Sequence, residues 1–501
     1  MPPATASSSD LKWEPMTPAP SPNPPPPLTS RRIAIIGGGI SGLAAAHRLT
    51  ELQPLSQPTL FEATNRLGGT LQTTHHDGWL VERSADMFTT REPWALDLCR
   101  RLGIADELIE TDARFRRAFV VHKNRLVPVP EGFTLMSPAK IWPILTTPLL
   151  SPLGKLRLAT EWFTPARRTG GDESFKSFVV RRFGREAFDR LIQPLIGGIY
   201  TADPTKLSMA ATLPQFLELE RRHGSLIRGM RREKVASRKS QVESRSAEAS
   251  GARYGMFVAP REGMGRLVEA IAGRLPAGSV RCNTTVERLE HSGGLWRVFI
   301  KGQESAEPFD ELILATPAPL SCRLLKSVDD ELTSKIGRIP YAGCSVAILG
   351  VRRDQVAHPL DGFGFVVPAI ERRKIIACSM ASVKFAGRAP AGKVLLRVFI
   401  GGALQPELGE LPEEAIREIV LNELRELIGL AGEPEFCDVA RWPGAMPQYH
   451  VGHLELVAEI EKRTAAIPHF GLAGNAYRGV GIPFCVRSGE QAAEAAALRM
   501  K

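Results

Sequence analysis

Separated apolar runs along the chain predict a parallel β-sheet that is covered by helices. Residues 33–36 are a short β-branched run, which is typical of a buried parallel strand. We expect a helix to begin near Ser41 and a second strand to end at Glu62. Residues 309–315 predict another buried strand, which ends before Pro317 because proline donates no hydrogen bond to a sheet.

Two further patterns lie in the second half of the chain. Residues 282–290 and 295–300 flank two glycines and predict a β-hairpin. Residues 486–500 are strong helix formers that follow a glycine-rich turn. A helix N-terminus that follows such a turn offers its amides to an anion or a dipole.

Length, charge and cysteine usage narrow the functional classes. At 501 residues the chain is too long for one core, so we expect two or three domains. The net charge of +10 is modest over this length, and we find no zinc finger or basic helix with interleaved aromatics, which argues against nucleic-acid binding. The seven cysteines are scattered and form no C-x-x-C pair, which fits a reducing compartment. The chain contains no run of 18 or more apolar residues, so we expect no membrane-spanning helix.

The chain's clearest motif is G-x-G-x-x-G, formed by Gly37, Gly39 and Gly42 between the first strand and the first helix. In this context the first glycine makes a tight turn, the second lets the backbone approach a pyrophosphate, and the third lets the helix lie against the strand. Glu62 lies 20 residues after Gly42, where an acid accepts hydrogen bonds from a ribose. The order of these elements therefore predicts a dinucleotide site.

A second pair of glycines sharpens this prediction. Gly68 and Gly69 follow Glu62 closely and give a second close approach of backbone, and Arg66 is placed to meet a phosphate. This arrangement resembles the FAD-binding start of the amine-oxidase-like flavoproteins. The alternatives are a nicotinamide-binding Rossmann domain and a degenerate nucleotide fold.

The first 30 residues are rich in Pro, Ser and Thr and are predicted to form a disordered tail. They lack the apolar core of a signal peptide, and Asp10 and Glu14, with no arginine before Arg31, argue against a mitochondrial transit peptide. We therefore expect a cytoplasmic protein that is not secreted, either free or peripheral on the cytoplasmic membrane.

Two other segments are candidates for surface contacts. Residues 133–155 are apolar, broken by prolines, and carry Lys140 and Trp142, which fits short helices that line a pocket mouth or rest on a bilayer. An ordinary helical cap domain is the alternative, and both interpretations can be true. Residues 221–239 are strongly basic, and 240–251 are small and polar. We interpret them as a helix end and an exposed loop, with anionic-lipid contact as the alternative to a solvated charged face.

Four segments give the chain a closer resemblance, to the oxygen-dependent, FAD-containing protoporphyrinogen oxidase family, which includes coproporphyrinogen III oxidase. The resemblance runs from about Arg32 to the C-terminus. The segments are 197–208 with 214–220, 362–368, 442–449 with 452–453, and 474–475 with 479–481. One departure is that this family usually has a glycine within the segment that corresponds to 201–203, where this chain has Thr-Ala-Asp. We expect this difference to alter the shape of the pocket.

The resemblance implies an α/β fold with α+β insertions. A Rossmann-type FAD-binding domain of the amine-oxidase-like kind would carry a mixed-sheet substrate domain and a helical membrane or cap domain. The FAD-binding domain would be made of three separate segments, 31–114, 256–315 and 439–501. The remaining stretches would be a disordered tail (1–30), the helical domain (115–225), a basic flexible loop (226–255) and the substrate domain (316–438).

The resemblance also implies non-covalent FAD and a set of residues that hold it. Val286 matches a residue that contacts the adenine end through its backbone, and Ser84 to Met87 match a segment that touches the flavin. The complete expected cofactor set is Gly37, Gly38, Gly39, Ile40, Ser41, Gly42, Glu62, Ala63, Arg66, Gly68, Gly69, Thr70, Ser84, Ala85, Asp86, Met87, Val286, Trp442, Gly474, Asn475, Val480, Gly481 and Ile482.

Four residues match the family's substrate positions. Arg91 matches an arginine that pairs with a substrate propionate, and Gly198 matches a backbone carbonyl that faces the centre of the tetrapyrrole. Phe385 matches an aromatic that stacks on a pyrrole ring, and Val366 matches an aliphatic pocket residue. An ordinary core phenylalanine is the alternative for Phe385. No side-chain nucleophile and no metal are expected.

The activity that the resemblance implies is the six-electron oxidation of protoporphyrinogen IX to protoporphyrin IX in haem biosynthesis. Three two-electron cycles would use O2 as the acceptor and give H2O2. The implied partners are the porphyrinogen, O2, a membrane surface and the next haem-pathway enzyme, and the protein would be a monomer or a homodimer.

Alternatives remain open on the same scaffold. Coproporphyrinogen III differs from protoporphyrinogen IX by two propionates in place of two vinyl groups, so one or two extra cationic contacts or an apolar wall would decide the substrate. We favour protoporphyrinogen. An amine or polyamine oxidase fits less well, because residues 474–479 lack the Trp-x-Gly-Tyr type of pattern and no cysteine lies just upstream. A flavin-binding protein without turnover is the alternative from another class.

Overall fold

The structure, a computed structural model, describes residues 31–500 apart from 132, 135–136, 139–141, 168–169 and 233–255. The tail predicted at 1–30 and most of the predicted basic loop therefore lie outside the described residues. Lys140, in the apolar segment, does so as well.

A five-stranded parallel sheet forms the base of the nucleotide-binding layers. Its strands, in order across the sheet, are Val280–Arg281, Gln57–Phe61, Arg32–Ile36, Glu311–Leu314 and Phe470–Leu472. The β-branched and aliphatic residues of the central strands are buried, because helices and a second sheet layer cover both faces. The strands predicted at 33–36 and at 309–315 are confirmed, although the second begins at Glu311.

Two helices pack closely together on one face of this sheet. They are Ile40–Leu52 and Ile482–Arg499, and a Cβ placed on Gly489 of the second would lie 2.0 Å from the carbonyl oxygen of Ser41 in the first. The C-terminal helix begins four residues before the predicted position, because Pro483 is accepted in its first turn. The other helices of these layers are Trp94–Leu102, Gly265–Ala272, Ala318–Leu325, Asp330–Gly337 and His453–Ala466.

The predicted hairpin is confirmed as Val286–Ser292 with Leu295–Ile300. The structure corrects one detail, because Phe309 belongs to a third strand of this small sheet, Glu307–Phe309, and pairs with Trp296. The chain turns at the next residue, where the Asp310 carboxylate accepts a hydrogen bond from the Arg32 amide at 2.8 Å. Short strands elsewhere are Thr73–His76, Trp79–Glu82, Phe88–Thr89, Leu108–Glu110, Phe133–Thr134, Ser137–Pro138 and Phe257–Pro260.

A seven-stranded mixed sheet forms the second layered region of the molecule. Helix Glu413–Ile428 covers one of its faces. In order across the sheet, the strands are Phe436–Pro447, Tyr341–Arg352, Lys393–Gly401, Ala377–Met380, Gly364–Val366, Phe119–His122 and Arg125–Pro128. Two of its strands, Phe119–His122 and Arg125–Pro128, therefore come from the segment predicted to be the helical domain. Strand Phe436–Pro447 crosses the domain boundary that was predicted at residue 439. The domain boundaries stay a prediction.

The helical region surrounds a core of aromatic and aliphatic residues that includes Phe175, Phe178, Phe183 and Leu191. Its elements include Trp142–Thr146, Pro152–Ala159, Phe175–Phe183, the π-helical turn Phe188–Ile192, Gln193–Tyr200, Met209–Thr212, Pro214–His223 and a helix at 226–232. Among the described residues, none of the helices has both the length and the apolar character required to cross a bilayer.

Candidate active site

The first glycine motif forms an open cradle where strand Arg32–Ile36 ends. Gly37 has a φ of +109°, and a Cβ there would lie 2.6 Å from the carbonyl oxygen of Ala315, so only glycine fits. Gly39 is different, because a Cβ on Gly39 would have no protein atom within 4 Å. The space in front of Gly39 is therefore available to a group that approaches the backbone closely, as a pyrophosphate does.

A helix N-terminus points into this cradle. Gly39 is the N-cap of the 13-residue helix Ile40–Leu52, and no side chain caps it. The amides of its first turn are therefore left for an anion. Gly68 donates its amide to the Gly38 carbonyl at 2.8 Å, and a Cβ on Gly69 would lie 3.1 Å from Gly39 Cα. The structure thus brings the two glycine motifs together.

Glu62 lies beside the cradle as the sequence predicts. Its carboxylate accepts hydrogen bonds from the Gly38 amide at 2.8 Å and from the Thr64 amide at 2.9 Å. The Thr284 amide donates to the Glu62 carbonyl at 2.8 Å, which places Val286, two residues further on, at the same end of the site. The acid predicted for the ribose and the residue predicted for the adenine end are therefore neighbours.

The structure gives Arg66 another set of partners. Its guanidinium donates to the carbonyls of Leu67, Gly69 and Leu71 at 3.3, 2.6 and 3.2 Å. These bonds close the glycine loop, in which Gly68 and Gly69 have positive φ values. The role predicted for Arg66 at a phosphate stays a prediction.

The wall beyond the cradle is built from Thr70, Ser84 and Trp442. The Ser84 hydroxyl donates to the Thr70 carbonyl, and the Trp442 indole Nε1 donates to the Arg83 carbonyl at 2.7 Å. Segment 84–87 is therefore held between the second glycine loop and strand Phe436–Pro447. This arrangement joins three stretches that the sequence predicts to contact the cofactor.

The glycine-rich turn at residues 474–481, which precedes the C-terminal helix, is organised by Tyr449. The sequence did not identify Tyr449 as a site residue. Its hydroxyl donates to the Asn475 carbonyl and accepts a hydrogen bond from the Gly479 amide at 2.8 Å. Its ring stacks on His453 with centroids 3.9 Å apart. Burial raises the pKa of Tyr449, so the hydroxyl stays protonated.

The same turn ends in a second helix N-terminus without a side-chain cap. Gly481 is the N-cap of the 18-residue helix Ile482–Arg499. Gly474 donates its amide to the Ser488 hydroxyl at 3.0 Å, and this bond ties the start of the turn to that helix. The site thus has uncapped helix amides both at its cradle and at its C-terminal turn, an arrangement that fits a dianionic dinucleotide with an extended ring system.

Buried charges lie directly behind segment 84–87. The Asp86 carboxylate is 2.5 Å from Lys384 Nζ and 2.9 Å from an Arg397 guanidinium nitrogen. Burial acts to raise the pKa of Asp86, but these two cations outweigh it and hold the pKa well below its usual range. Lys384 and Arg397 were missed because they lie about 300 residues from Asp86 in the sequence.

Glu82 gives this region a pH dependence. Its buried carboxylate accepts hydrogen bonds from the Met264 amide at 2.6 Å and from the Thr73 hydroxyl at 2.8 Å, yet burial dominates and raises the pKa of Glu82 from 4.5 to about 7. The folded protein therefore binds this proton more tightly than the unfolded chain, and the contribution of Glu82 to stability falls as the pH rises through this window.

We accordingly expect Glu82→Gln to match the wild type near pH 4 and to be the more stable protein near pH 8. The amide keeps an acceptor for Met264 and carries no charge to bury. Urea unfolding of both proteins at the two pH values measures this difference. A constant difference in the free energy of unfolding across that range would show that Glu82 does not titrate there.

Gly198 and Val366, two of the predicted substrate residues, lie close together beside the helical region. A Cβ on the exposed Gly198 would lie 3.4 Å from Val366 Cγ1 and 3.9 Å from Ala377 Cβ. Gly198 belongs to helix Gln193–Tyr200, and Val366 ends strand Gly364–Val366. The helical region and the seven-stranded sheet therefore approach each other here.

Arg91 and Phe385 differ in how accessible they are. The Arg91 side chain is 53% exposed, and its nearest carboxylate is that of Glu92 at 3.8 Å, so the guanidinium can reach a ligand. Phe385 is only 1% exposed and packs in the core of the nucleotide-binding layers. Its stacking role stays a prediction, and the ring has no open face in this structure.

Phe399 is a further aromatic that the sequence did not identify as a site residue. It is half-buried and lies two strands from Val366 on the same row of the sheet, because Val366 pairs with Ala377 and Ala377 pairs with Phe399. Its position on that row makes it a candidate lining residue.

The departure at residues 201–203 has a structural counterpart. Thr201 ends helix Gln193–Tyr200 with a φ of +47°, a conformation that favours glycine. Its carbonyl accepts a hydrogen bond from the Ala403 amide at 2.8 Å. Thr201 and Ala202 also line a small cavity under loop 401–405, so both side chains occupy space that glycine would leave empty.

A larger cavity of about 480 Å³ opens beside Trp442. Its walls are residues 340–345, 441–444 and the segment from 403 to 410, with Lys206 and His450 at one side. Its volume lies within the ordinary range of small-molecule sites. The pocket therefore adjoins a residue predicted to contact the cofactor.

Comparisons with known proteins agree with this geometry. The family described as "Flavin containing amine oxidoreductase" matches residues 40–497. A coproporphyrinogen III oxidase of Bacillus subtilis (strain 168) is 34% identical over 467 residues, which are 92% of this chain and 97% of that protein. The mitochondrial protoporphyrinogen oxidase of Nicotiana tabacum is 30% identical over 498 residues, which are 95% of this chain and 96% of that protein.

A solved structure gives the same result. The crystal structure of a protein from Exiguobacterium sp. 255-15, described as "Putative protoporphyrinogen oxidase", has a TM-score of 0.83 with this chain at 28% identity. The match covers 94% of this chain and 99% of that one. The similarity therefore includes the cradle, the seven-stranded sheet and the helical region.

Proposed function

Because this chain belongs to the flavin-containing amine oxidoreductases and, within them, to the protoporphyrinogen and coproporphyrinogen III oxidase family, we propose that it oxidises a porphyrinogen to a porphyrin with non-covalent FAD and O2. The reaction removes six electrons in three two-electron cycles and gives H2O2. Protoporphyrinogen IX is the substrate that the sequence favours, and the product is protoporphyrin IX.

The observation that carries this proposal is the set of contacts that joins the parts of the site. Gly69 packs against Gly39, the Ser84 hydroxyl donates to the carbonyl of the following residue, Thr70, and Trp442, whose indole donates to the Arg83 carbonyl, lines the cavity of about 480 Å³. A dinucleotide held at its pyrophosphate would therefore extend its ring toward a pocket that is large enough for an organic substrate.

The residues of this chain would bind and orient the cofactor and the substrate and shield them from water. None of these residues has to act as a nucleophile. FAD, when bound, supplies the chemistry by accepting two electrons and a proton from a ring carbon and passing the electrons to O2. The first-turn amides of helix Ile40–Leu52 would meet the phosphates, and Glu62 would accept hydrogen bonds from the ribose. Gly198 and Val366 would contact the substrate where the helical region approaches the seven-stranded sheet, and Arg91 offers an exposed guanidinium to a carboxylate.

Anaerobically prepared porphyrinogens and purified, flavin-loaded protein test the proposal. We expect porphyrin fluorescence to appear only when O2 is admitted, together with H2O2. A protein that retains flavin but leaves both porphyrinogens unoxidised would overturn the assignment and direct the search to amines.

Coproporphyrinogen III is the second candidate, and one observation favours it. The B. subtilis relative, named a coproporphyrinogen III oxidase, is 34% identical to this chain, whereas the N. tabacum protoporphyrinogen oxidase is 30% identical. The ratio of kcat/KM for the two porphyrinogens decides between them. A higher value for coproporphyrinogen would mean that cations in the pocket meet its two additional propionates.

Arg91→Ala is expected to raise KM for the porphyrinogen about tenfold to a hundredfold, because a charge-assisted hydrogen bond to a propionate contributes about 1.5–3 kcal/mol. Arg91→Lys should retain some of this affinity. Arg100→Ala removes an equally exposed arginine from helix Trp94–Leu102 and serves as the control. An unchanged KM in Arg91→Ala would remove Arg91 from the substrate site.

We also propose that the helical region rests on an anionic membrane surface. Five large apolar side chains within 22 residues of sequence are more than half exposed, namely Trp142, Leu145, Leu153, Leu156 and Phe163. So dense an exposed apolar set is typical of a contact surface, and the net charge of +10 favours anionic lipid.

Leu153→Glu with Phe163→Glu should reduce cosedimentation with vesicles that contain anionic lipid by about tenfold or more, since burial of each side chain contributes about 1.5–3 kcal/mol. Leu498→Glu, at an exposed leucine of the C-terminal helix, is the matched control. Equal binding by the double variant and the control would contradict this contact, and binding that does not depend on anionic lipid would contradict its electrostatic component.

A further inference from the structure

We propose that the charges buried behind segment 84–87 set the reduction potential of the bound flavin, with Arg397 raising it and Asp86 lowering it. This inference rests on flavin binding, which belongs to the proposed function, and does not depend on which porphyrinogen is oxidised.

The first support is the density of buried charge. Arg397, Lys384 and Asp86 are at most 8% exposed, and both cations lie within 2.9 Å of the same carboxylate. Charges that are removed from water act on their surroundings with weak dielectric screening. A nearby group that gains negative charge on reduction would therefore respond to each of them.

The second support is the position of the cluster in the site. Arg397 donates a hydrogen bond to the Ser84 carbonyl, and the Ser84 hydroxyl donates to the Thr70 carbonyl. Thr70 follows Gly69, which packs against Gly39 in the cradle. The cluster is therefore linked by direct contacts to the wall that lies beyond the pyrophosphate position, where the ring end of an extended dinucleotide belongs.

The third support is the balance of charge and hydrogen bonding. Two cations face one carboxylate at contact distance, so the cluster holds a surplus of positive charge. Three atoms of this region, Arg397 Nε, Asp86 Oδ2 and the hydroxyl of Ser379, are buried without a hydrogen-bond partner among the residues that the structure describes. A buried positive surplus favours the more negative of two states of a neighbouring group, and charge near the ring is a recognised means by which proteins tune flavins.

Arg397 is the charge to test, because a guanidinium keeps its proton in proteins. Lys384 is less suitable, since burial lowers its pKa while the contact with Asp86 acts in the opposite direction. Other charges also surround the cluster. The Arg388 guanidinium donates hydrogen bonds to the carbonyls of Arg261 and Pro260, and Glu82 lies in the same buried region.

An anaerobic redox-dye titration of the flavin-loaded protein measures the potential without any substrate. At a fixed potential we expect the ratio of reduced to oxidised flavin to fall about tenfold in Arg397→Met and to rise about tenfold in Asp86→Asn. For a two-electron couple, each change corresponds to a shift of about 30 mV in the reduction potential, downward in the first variant and upward in the second. Arg397→Lys, which keeps the charge, should stay close to the wild type. Arg100→Met, an exposed arginine, is the control.

Opposite signs are the discriminating result, because damage to the fold would not raise the potential in one variant and lower it in the other. Unchanged potentials, or shifts of the same sign, would overturn the inference. The cluster would then have only a structural role. If Asp86→Asn yields no flavin-loaded protein, the comparison of Arg397→Met with Arg397→Lys decides the question. Absence of porphyrinogen turnover in the wild type would leave these potentials measurable, so the two failures are distinguishable.

Discussion

Gly39→Val is expected to yield a folded protein that has lost its flavin. Gly39 has a φ of −72°, which every residue adopts, and a Cβ there would meet no protein atom within 4 Å. The valine would instead occupy the space for the pyrophosphate. We expect an affinity for FAD at least about a hundredfold lower, which corresponds to about 3 kcal/mol or more from steric overlap and lost amide contacts.

Two glycine variants separate cofactor loss from misfolding. Gly170→Val also places a side chain in open space, but far from the cradle in sequence, and should keep its flavin. Gly42→Ala should destabilise the fold, because its Cβ would lie 1.9 Å from the Gly37 carbonyl oxygen. Far-UV circular dichroism, urea unfolding and flavin absorbance after gel filtration give the readouts. A Gly39→Val protein that retains flavin would mean that the dinucleotide does not pass in front of this residue.

Glu161→Ala is expected to destabilise the helical region by about 3 kcal/mol, because it removes the nearer of two carboxylates that face the buried Arg182 guanidinium and leaves Glu220 at 3.5 Å. Glu161 and Arg182 are both fully buried and lie 2.8 Å apart. The same carboxylate accepts hydrogen bonds from the Ser225 hydroxyl and the Leu226 amide, at 2.7 and 2.8 Å. The substitution would therefore also detach the start of the helix at 226–232.

Glu461→Ala provides the comparison for this variant. Glu461 pairs with Arg478 at the surface, where both side chains are about half exposed, and removal of such a pair changes stability by about 1 kcal/mol or less. Urea unfolding monitored by tryptophan fluorescence measures both variants, and Trp162 reports on the helical region from a position next to Glu161. Equal stabilities of the two variants would show that the buried pair contributes no more than an exposed one.

Local signals explain which elements of the fold could be predicted from the sequence. The strand at 33–36, the glycine cradle and the 286–300 hairpin depend on residues that are close together along the chain, so period, turn glycines and motif spacing are sufficient. The position of Glu62 beside the cradle could be predicted for the same reason, since only the first helix and second strand separate it from the cradle.

Long-range pairing explains what could not be predicted. Lys384 and Arg397 meet Asp86 only because the seven-stranded sheet packs behind segment 84–87. Tyr449 acts through a hydroxyl that bridges two turns of the chain. The assignment of Phe309 failed because its apolar character suits two adjacent strands equally well, and a hydrogen bond of the neighbouring Asp310 decides where one ends.

A single-turnover experiment without oxygen would test porphyrinogen oxidation by this protein at its first chemical step. Flavin-loaded protein is mixed with protoporphyrinogen IX or coproporphyrinogen III, and the flavin absorbance is followed in a stopped-flow instrument. We predict rapid bleaching of the flavin by at least one porphyrinogen and recovery of the absorbance when O2 is admitted, with Arg100→Ala behaving as the wild type. A flavin that stays oxidised in the presence of both porphyrinogens would contradict the proposed reaction.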